Sequence, residues 1–213
     1  ALRAELSVSY GIDVQSIPAD LSSSRGVQTL IEKAGEINIL VNNAGFGLSG
    51  EHIGLGANEQ LAMVDVNIRA LTQLTHYYGG VFKEERSGAI LNVASMAAFM
   101  PGGPMMAVYF ATKAYVLSFS RALHEELKPY GVTVTSLCPG PVPTEFYKNA
   151  GLRRAPKWTT GAISPQKVAI AGVDTMRKGR REVVPGLVNK PLSFIIRFGP
   201  VGVLIAVAKK YLG

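Results

Sequence analysis

The sequence is poor in cysteine, histidine and charged residues. Its 213 residues include one cysteine, three histidines and 17% charged residues. A single cysteine excludes an internal disulfide, and a chain without disulfides fits a reducing compartment, so we expect a cytoplasmic location. The histidines share no ligand spacing with each other or with Cys138, so we expect no metal site.

Long apolar runs are also missing. No stretch reaches the roughly 18 uninterrupted apolar residues that a transmembrane helix needs. The apolar C-terminal tail, residues 190–213, is interrupted by Arg197, Gly199, Pro200 and Gly202. We expect a helical tail that closes the core or a subunit interface, with peripheral membrane contact as the alternative.

The chain is basic but has no concentrated basic surface motif. Its 22 Lys and Arg against 15 Asp and Glu give a net charge of +7. The densest basic cluster, residues 177–181, contains no aromatic residue, which is not typical of nucleic-acid binding proteins. We therefore expect no nucleic-acid partner, and a surface suited to phosphate-bearing ligands or an anionic membrane.

Apolar runs bounded by turn residues alternate with helical periodicity along the whole chain. This alternation predicts one α/β domain over residues 1–213, a Rossmann-like doubly wound parallel sheet in three layers. Residues 139–164, rich in Pro, Gly and basic residues, predict a long substrate loop. The predicted strands are Ile12–Ile17, Ile37–Asn42, Gly88–Ala94, Val132–Leu137 and Glu182–Val184, and the predicted helices lie near Ser24–Ala34, Asn58–Phe82, Tyr109–Tyr130 and Pro165–Lys178.

Tyr109 and Lys113 carry the most specific chemistry. Residues four apart share a helix face, so the Lys113 ammonium is predicted to approach the Tyr109 phenol. A nearby cation and a helix N-terminus both favour the phenolate, which predicts a tyrosine pKa below the ordinary value of about 10. Such a tyrosine can act as a general acid or base. Taken alone, however, the same pair is common on exposed helices.

Polar and small residues follow three of the predicted strands. The carboxyl ends of parallel strands meet at one edge of a sheet, where ligands bind, so we expect these residues to form one site. A serine hydroxyl there can hydrogen-bond a carbonyl oxygen, and small residues let a flat ring approach the backbone. The residues are Ser95 after the third strand, Asn43, Ala44 and Gly45 after the second, and Val142 and Thr144 after the fourth.

From about Ile12 to at least Val184, these motifs in this order resemble the ordinary-length branch of the short-chain dehydrogenase/reductase family. The resemblance implies an oxidoreductase that transfers a hydride between nicotinamide C4 and a carbonyl or alcohol carbon, with NADP favoured over NAD. It implies catalytic roles for Ser95, Tyr109, Lys113 and Asn67. It further implies that Asp20 and Leu21 approach the adenine, that Asn43, Ala44 and Gly45 line the adenine-ribose side, that Val142 and Thr144 hold the carboxamide, and that Lys113 also binds the nicotinamide ribose.

The resemblance also implies a homodimer or homotetramer, because the helices near Asn58–Phe82 and Tyr109–Tyr130 resemble those that pair between subunits in the family. Met96, Met100, Met105 and Met106 flank the predicted site and favour an apolar substrate, such as a fatty acyl, steroid or lipid-like carbonyl. Two other functions stay open: a cofactor-free scaffold of the same fold, and a lipid-surface protein that acts through its tail.

The sequence departs from the family pattern in two places. First, the spacing from Ser95 to Tyr109 is one residue longer than in the family, and the additional residue lies within residues 101–104. Second, the family's phosphate-binding fingerprint Thr-Gly-x-x-x-Gly-x-Gly does not occur in the sequence. Residues 45–50 fit Gly-x-Gly-x-x-Gly, but no helix is predicted to open at Gly50, and Asp65 twenty residues on lies inside a predicted helix; we interpret them as a loop.

The N-terminal residues predict a truncated chain. The sequence starts without methionine and with helical spacing that no capping residue precedes. We expect the first two strands and the first helix of the family to be missing. Because those strands would lie between the strands at Ile12 and Ile37, the 213 residues are expected neither to fold stably nor to bind cofactor alone.

Overall fold

The computed structural model describes residues 2–152 and 163–212. In this part of the chain, four parallel strands form one sheet in the order β1-β2-β3-β4. The strands are β1 (Ile39–Asn42), β2 (Gly88–Val93), β3 (Val132–Leu137) and β4 (Glu182–Val183). The helices are α1 (Leu2–Tyr10), α2 (Ser24–Ala34), α3 (Ala57–Val64), α4 (Leu71–Glu85), α5 (Ala107–Leu127), α6 (Phe146–Asn149), α7 (Pro165–Arg177), α8 (Asn189–Phe198) and α9 (Val201–Leu212).

Helices cover both faces of the sheet, so the predicted three-layer Rossmann-like fold is confirmed. Successive strand residues point to opposite faces, and the two faces have separate cores. On one face Ile90 and Val134 pack with residues of α2 and α4. On the other face Leu91 and Leu137 pack with Val168 and Met176 of α7.

Local sequence signals mark where the predicted helices begin and end. Ser23 caps α2 by accepting a hydrogen bond from the Gly26 backbone N–H, and Gly35 ends the helix with a φ of 64°. Ser164 caps α7 in the same way, with Pro165 in the first turn. These caps explain why the predicted bounds of α2 and α7 agree closely with the structure.

The predicted long helix near Asn58–Phe82 changes at its centre from α-helical to the wider π-helical geometry. Residues Asp65–Ala70 form a π-helical turn that joins α3 to α4. A π turn widens the helix locally and changes the direction of its side chains, and such turns are frequent at functional sites. Here the turn carries Asn67, which is buried.

The predicted strand Ile12–Ile17 is wrong. These residues have no strand structure, and Ile12 is exposed. Their β-branched composition favours an extended backbone, but a strand exists only where another strand accepts and donates its main-chain hydrogen bonds. No strand in the described part of the chain lies beside residues 12–17.

The segments after β3 contain short and terminal helices. Of the predicted substrate loop 139–164, residues 146–149 form α6, and residues 153–162 lie outside the described residues. The C-terminal tail forms α8 and α9, which Gly199 and Pro200 separate. No helix in the described ranges is long and apolar enough to cross a membrane.

Candidate active site

The carboxyl ends of β1 and β2 and the first turn of α5 meet at one edge of the sheet. Ser95 follows β2 and accepts a hydrogen bond from the Ala97 backbone N–H, which starts a short 3-10 turn. The Ser95 hydroxyl lies close enough to the Tyr109 phenol to influence its pKa. The one-residue surplus between the two residues therefore does not separate them.

Tyr109 is buried among apolar side chains. The Phe146 ring packs on it with 5.2 Å between ring centroids. Gly47 leaves no room for a side chain here, since a Cβ would lie 2.9 Å from Phe146 and 3.2 Å from Tyr109. Tyr109, Met106 and Phe146 belong to one apolar cluster that leaves the phenol little contact with water.

Lys113 lies one helical turn after Tyr109, and it is also buried. Its ammonium donates to the Val93 carbonyl at 2.8 Å, and this is its only hydrogen bond to the described residues. The Nζ atom is 5.9 Å from the centre of the Tyr109 ring. The helix therefore brings the pair to one side of α5, as predicted, without a direct contact between ammonium and phenolic oxygen.

The predicted lowering of the Tyr109 pKa is wrong. Burial raises the pKa of Tyr109 to about 12, although the nearby Ser95 hydroxyl opposes that rise. Burial also lowers the pKa of Lys113 to about 8. Both shifts have one cause, because a buried site disfavours the charged form of each group. Tyr109 is therefore a protonated phenol at neutral pH.

Asn67 joins the π-helical turn to the loop after β1. Its side-chain amide donates to the Phe46 carbonyl at 2.9 Å and to the Thr112 hydroxyl at 3.1 Å. Its side-chain oxygen accepts from the Phe46 backbone N–H at 3.1 Å. A Cβ on Gly45 would lie 2.9 Å from that oxygen and 3.5 Å from the Lys113 ammonium. Gly45, Asn67 and Lys113 thus form one tightly packed group.

A buried polar network, which the sequence motifs did not predict, lies near this group. Asn42 at the end of β1 donates to Thr75 at 3.0 Å and to Asn92 at 2.8 Å, and Asn92 donates to Ser120 at 2.9 Å. The network ties β1 and β2 to α4 and α5. The available signal was the presence of asparagine within two otherwise apolar strand sequences, since buried polar groups require partners.

Leu21, Asn43 and Ala44 lie together beside β1. They line one cavity of about 190 Å³ with Val66 and apolar core residues, and the cavity does not include Tyr109 or Lys113. Asp20 precedes Leu21, but its carboxylate accepts from the Ser22 N–H and hydroxyl, and these bonds lower the pKa of Asp20. Leu21, Asn43 and Ala44 of the predicted adenine side are thus together, whereas Gly45 packs with Asn67 and Lys113.

Residues 45–50 form a loop, as interpreted from the sequence. No helix opens at Gly50, and the next regular turn is the 3-10 turn His52–Gly54. Asp65 lies in the π-helical turn, where it pairs with Arg69 at 2.7 Å. The dinucleotide-fingerprint alternative for these glycines therefore lacks the helix N-terminus that would bind phosphate.

Val142 and Thr144 lie in the loop after β3. Burial raises the pKa of Tyr147, and the nearby Val142 backbone opposes that rise. Thr144 is exposed, and its hydroxyl accepts weakly from the Phe146 N–H at 3.3 Å. Among the described residues, no group of three or more His, Cys, Asp or Glu side chains is arranged to hold a metal ion.

Comparison with known proteins gives consistent matches. A family model described as short chain dehydrogenase matches residues 1–155. A very-long-chain 3-oxoacyl-CoA reductase-like protein of Arabidopsis thaliana is 34% identical over 176 residues, which are 80% of this chain and 55% of that protein. The chain spans about half the length of the curated relatives it matches, between 45% and 62% for three of them.

Solved structures also match most of the chain. A short-chain dehydrogenase from Sphingobium yanoikuyae in complex with NADPH superposes with a TM-score of 0.80 and 26% identity, over 93% of this chain and 81% of that one. A 3-ketoacyl-(acyl-carrier-protein) reductase from Brucella melitensis complexed with NADH has a TM-score of 0.72 and 27% identity, over 86% of this chain and 82% of that one.

Proposed function

The chain belongs to the short-chain dehydrogenase family, and on that premise we propose that the protein reduces an apolar carbonyl compound with a nicotinamide cofactor. One observation carries the proposal: a buried, protonated Tyr109 has the Ser95 hydroxyl near its phenol and the buried Lys113 ammonium 5.9 Å from the centre of its ring. A phenol that is held protonated at neutral pH is prepared to donate a proton to a carbonyl oxygen.

The residues present fit the nicotinamide and adenine ends of such a cofactor. The Lys113 ammonium has protons beyond the one given to Val93, which suits ribose hydroxyls, and Gly45 beside it admits a close backbone approach. Leu21, Asn43 and Ala44 line a cavity of about 190 Å³ whose walls are mainly apolar, which is the environment that an adenine ring would need. The glycine-rich turn that binds the pyrophosphate in this family does not occur in the 213 residues.

The chain's own side chains would perform the proton chemistry. Ser95 donates a hydrogen bond to the substrate carbonyl oxygen, and Tyr109 donates its phenolic proton to the same oxygen as it becomes a hydroxyl. The Lys113 ammonium stabilises the phenolate that remains. Asn67 holds the loop at Phe46 and thereby keeps Gly45 close to Lys113. The cofactor, when bound, supplies the hydride that the carbonyl carbon accepts.

An apolar substrate is proposed because the side chains around Tyr109 are apolar. Met63, Met106 and Phe146 pack in the same cluster as the phenol, so a charged or strongly polar substrate would lose hydration there without compensation. The names of the relatives from Arabidopsis thaliana and Brucella melitensis both refer to 3-oxoacyl compounds. We therefore take a 3-oxoacyl thioester as the first candidate substrate, with steroid and other lipid-like ketones next.

The test is oxidation of NADPH and NADH, side by side, by protein expressed from its complete reading frame, with 3-oxoacyl thioesters and apolar ketones. NADPH is the proposed preferred cofactor. Tyr109→Phe is expected to reduce turnover by about 10²-fold or more, since it removes the proton donor. Tyr115→Phe is the matched control and should retain activity. Tyr115 lies on the same helix, and its hydroxyl is hydrogen-bonded to Thr72 and not to the candidate active site. A folded protein that binds neither cofactor would contradict the proposal and favour a scaffold role.

The proposed assembly is a homodimer or homotetramer in the cytoplasm. The outer sides of α3 and α4 support self-association, because Leu61 and Tyr77 are exposed there. Light scattering coupled to size-exclusion chromatography would give the mass directly, and a monomeric mass at all concentrations would exclude this part of the proposal.

A further inference from the structure

The helix α8 turns its apolar side outward. A surface helix normally buries its apolar side and exposes its polar side. In α8 the polar Ser193 is buried, whereas Phe194, Ile195 and Phe198 are between 62% and 74% exposed. The rings of Phe194 and Phe198 pack against each other with centroids 4.8 Å apart, which makes one protruding aromatic pair.

The helix α9 also exposes apolar side chains. Its inner side carries Leu204, Ala208 and Leu212, of which Ala208 is buried. Its outer side exposes apolar side chains to water, where a surface helix normally carries polar ones. We call the exposed set the C-terminal apolar surface. It consists of Leu187, Val188, Leu192, Phe194, Ile195, Phe198, Val201, Val203, Val207 and Tyr211.

The charges around this surface have one sign. After Glu182 the sequence contains four basic residues and no acidic residue. Arg197 is bound inward, to Glu182 and over the Phe99 ring, while Lys190, Lys209 and Lys210 are exposed. A second copy docked on the same surface would bring these lysines towards each other, whereas an anionic lipid headgroup would neutralise them.

We propose that the C-terminal apolar surface docks on an anionic phospholipid bilayer, with α8 and α9 lying in the interface. The exposed phenylalanines enter the acyl boundary, and the lysines bind headgroup phosphates. The inference goes beyond hydride transfer and does not depend on it. Leu212 packs on the cluster that contains Tyr109 and Met106, so a docked protein holds its candidate active site beside the lipid.

The test is vesicle flotation with protein expressed from its complete reading frame. The vesicles contain either phosphatidylcholine alone or phosphatidylcholine with phosphatidylglycerol. Wild-type protein is expected to float with the anionic vesicles, and a part of the binding should survive high salt because burial of the phenylalanines is not screened. Each lysine near an anionic surface contributes about fivefold in affinity, so K209Q/K210Q together should weaken binding roughly tenfold or more.

The variants separate the apolar part of the binding from the electrostatic part. Phe194→Ser/Phe198→Ser should abolish the salt-resistant binding, and its folding is checked by circular dichroism. The matched control is Ile53→Ser, which removes an apolar side chain that is 91% exposed outside the surface, and it should float like wild type. Absence of flotation with both vesicle types, or a dimer that the phenylalanine variant dissociates in the absence of any lipid binding, would overturn the proposal.

Discussion

Burial opposes the charge of Lys113. Burial lowers its pKa from 10.5 to about 8, so between these values the unfolded chain binds more protons at this site than the folded chain does. The free energy of unfolding therefore rises with pH above about 8. Cys138 acts in the opposite direction above pH 9, because burial raises its thiol pKa to about 12, and Tyr109 does so above pH 10.

These opposing titrations predict a stability maximum at alkaline pH. The free energy of unfolding should rise by roughly 0.5 to 1 kcal/mol from pH 8 to pH 9, reach its maximum between pH 9 and 10, and fall above pH 10. Lys113→Met should remove the rise, so that stability declines from pH 8 onward. Urea unfolding at one-unit pH steps measures this, with Lys209→Met as an exposed control. A rise that persists in Lys113→Met would show that another group causes it.

Gly45 is expected to tolerate no side chain. A Cβ there would lie 2.9 Å from the Asn67 side-chain oxygen, which already accepts from the Phe46 N–H. Gly45→Ala must displace the Asn67 amide, so we expect a loss of about 1–3 kcal/mol in stability together with weaker cofactor binding. Thermal unfolding and cofactor titration measure the two effects.

The control for this substitution is Gly80→Ala. Gly80 lies in α4, where a Cβ would have no neighbouring atom within 4 Å, and alanine favours helix there by about 1 kcal/mol. It should therefore be neutral or stabilising. Equal destabilisation by both substitutions would contradict the close packing of Gly45 with Asn67 and Lys113.

At the residue scale, spacing predicted proximity but not charge state. The four-residue step places Tyr109 and Lys113 on one side of α5, as the sequence indicated. The rise of the Tyr109 pKa comes from burial, to which the distant Phe146 ring contributes by covering the phenol, and the Lys113 ammonium donates its hydrogen bond to the Val93 carbonyl instead of the phenol. Neither contact is encoded in the Tyr-x-x-x-Lys pattern.

At the scale of elements, the sequence pattern correctly predicted those strands whose pairing partners are also part of the 213 residues. The four strands β1 to β4 pair with one another, and each was predicted within two residues of its bounds. Residues 12–17 have comparable composition but no adjacent strand, so composition alone misassigned them. The π-helical turn was not predicted. An apolar spacing of three and four residues is the same whether or not one turn of the helix is wider than an α-helical turn.

One carboxylate joins α8 to the sheet, beside the apolar contact of Ile196. Glu182 in β4 pairs with Arg121 of α5 at 2.7 Å and with Arg197 of α8, and both guanidinium groups lie over the Phe99 ring. Removing the charge leaves two neighbouring guanidinium groups without their shared partner. We expect Glu182→Gln to destabilise the protein by about 1–3 kcal/mol and to expose α8 and α9 to proteolysis.

Limited proteolysis followed by mass spectrometry locates the cuts, and chemical denaturation gives the change in stability. Glu145→Gln serves as the control, because Glu145 pairs with Lys148 at 3.5 Å where both side chains are exposed, and such pairs contribute little. The contradicting result is that the protease cuts the Glu182→Gln variant between residues 187 and 212 no faster than it cuts the Glu145→Gln variant. That result would show that apolar contacts, such as that of Ile196, hold the tail instead.

At the scale of the whole molecule, the sheet has an edge that its helices do not cover. β1 pairs only with β2 among the described strands, and Ile39 and Val41 on one of its faces are about half exposed. The helix α7 covers β2 and β3 on that face through Val168 and Met176. An uncovered strand edge with β-branched side chains is a template for pairing with another chain.

We therefore expect the 213-residue chain to associate through β1 as its concentration rises. A lysine on an edge strand opposes pairing, because the incoming strand would bury its charge, so Val41→Lys should form smaller particles than wild type at each concentration. Dynamic light scattering over a concentration series measures this, with Ile53→Lys as a control that adds the same charge away from the sheet. If Phe194→Ser/Phe198→Ser prevents association and Val41→Lys does not, the C-terminal apolar surface, and not the strand edge, causes it.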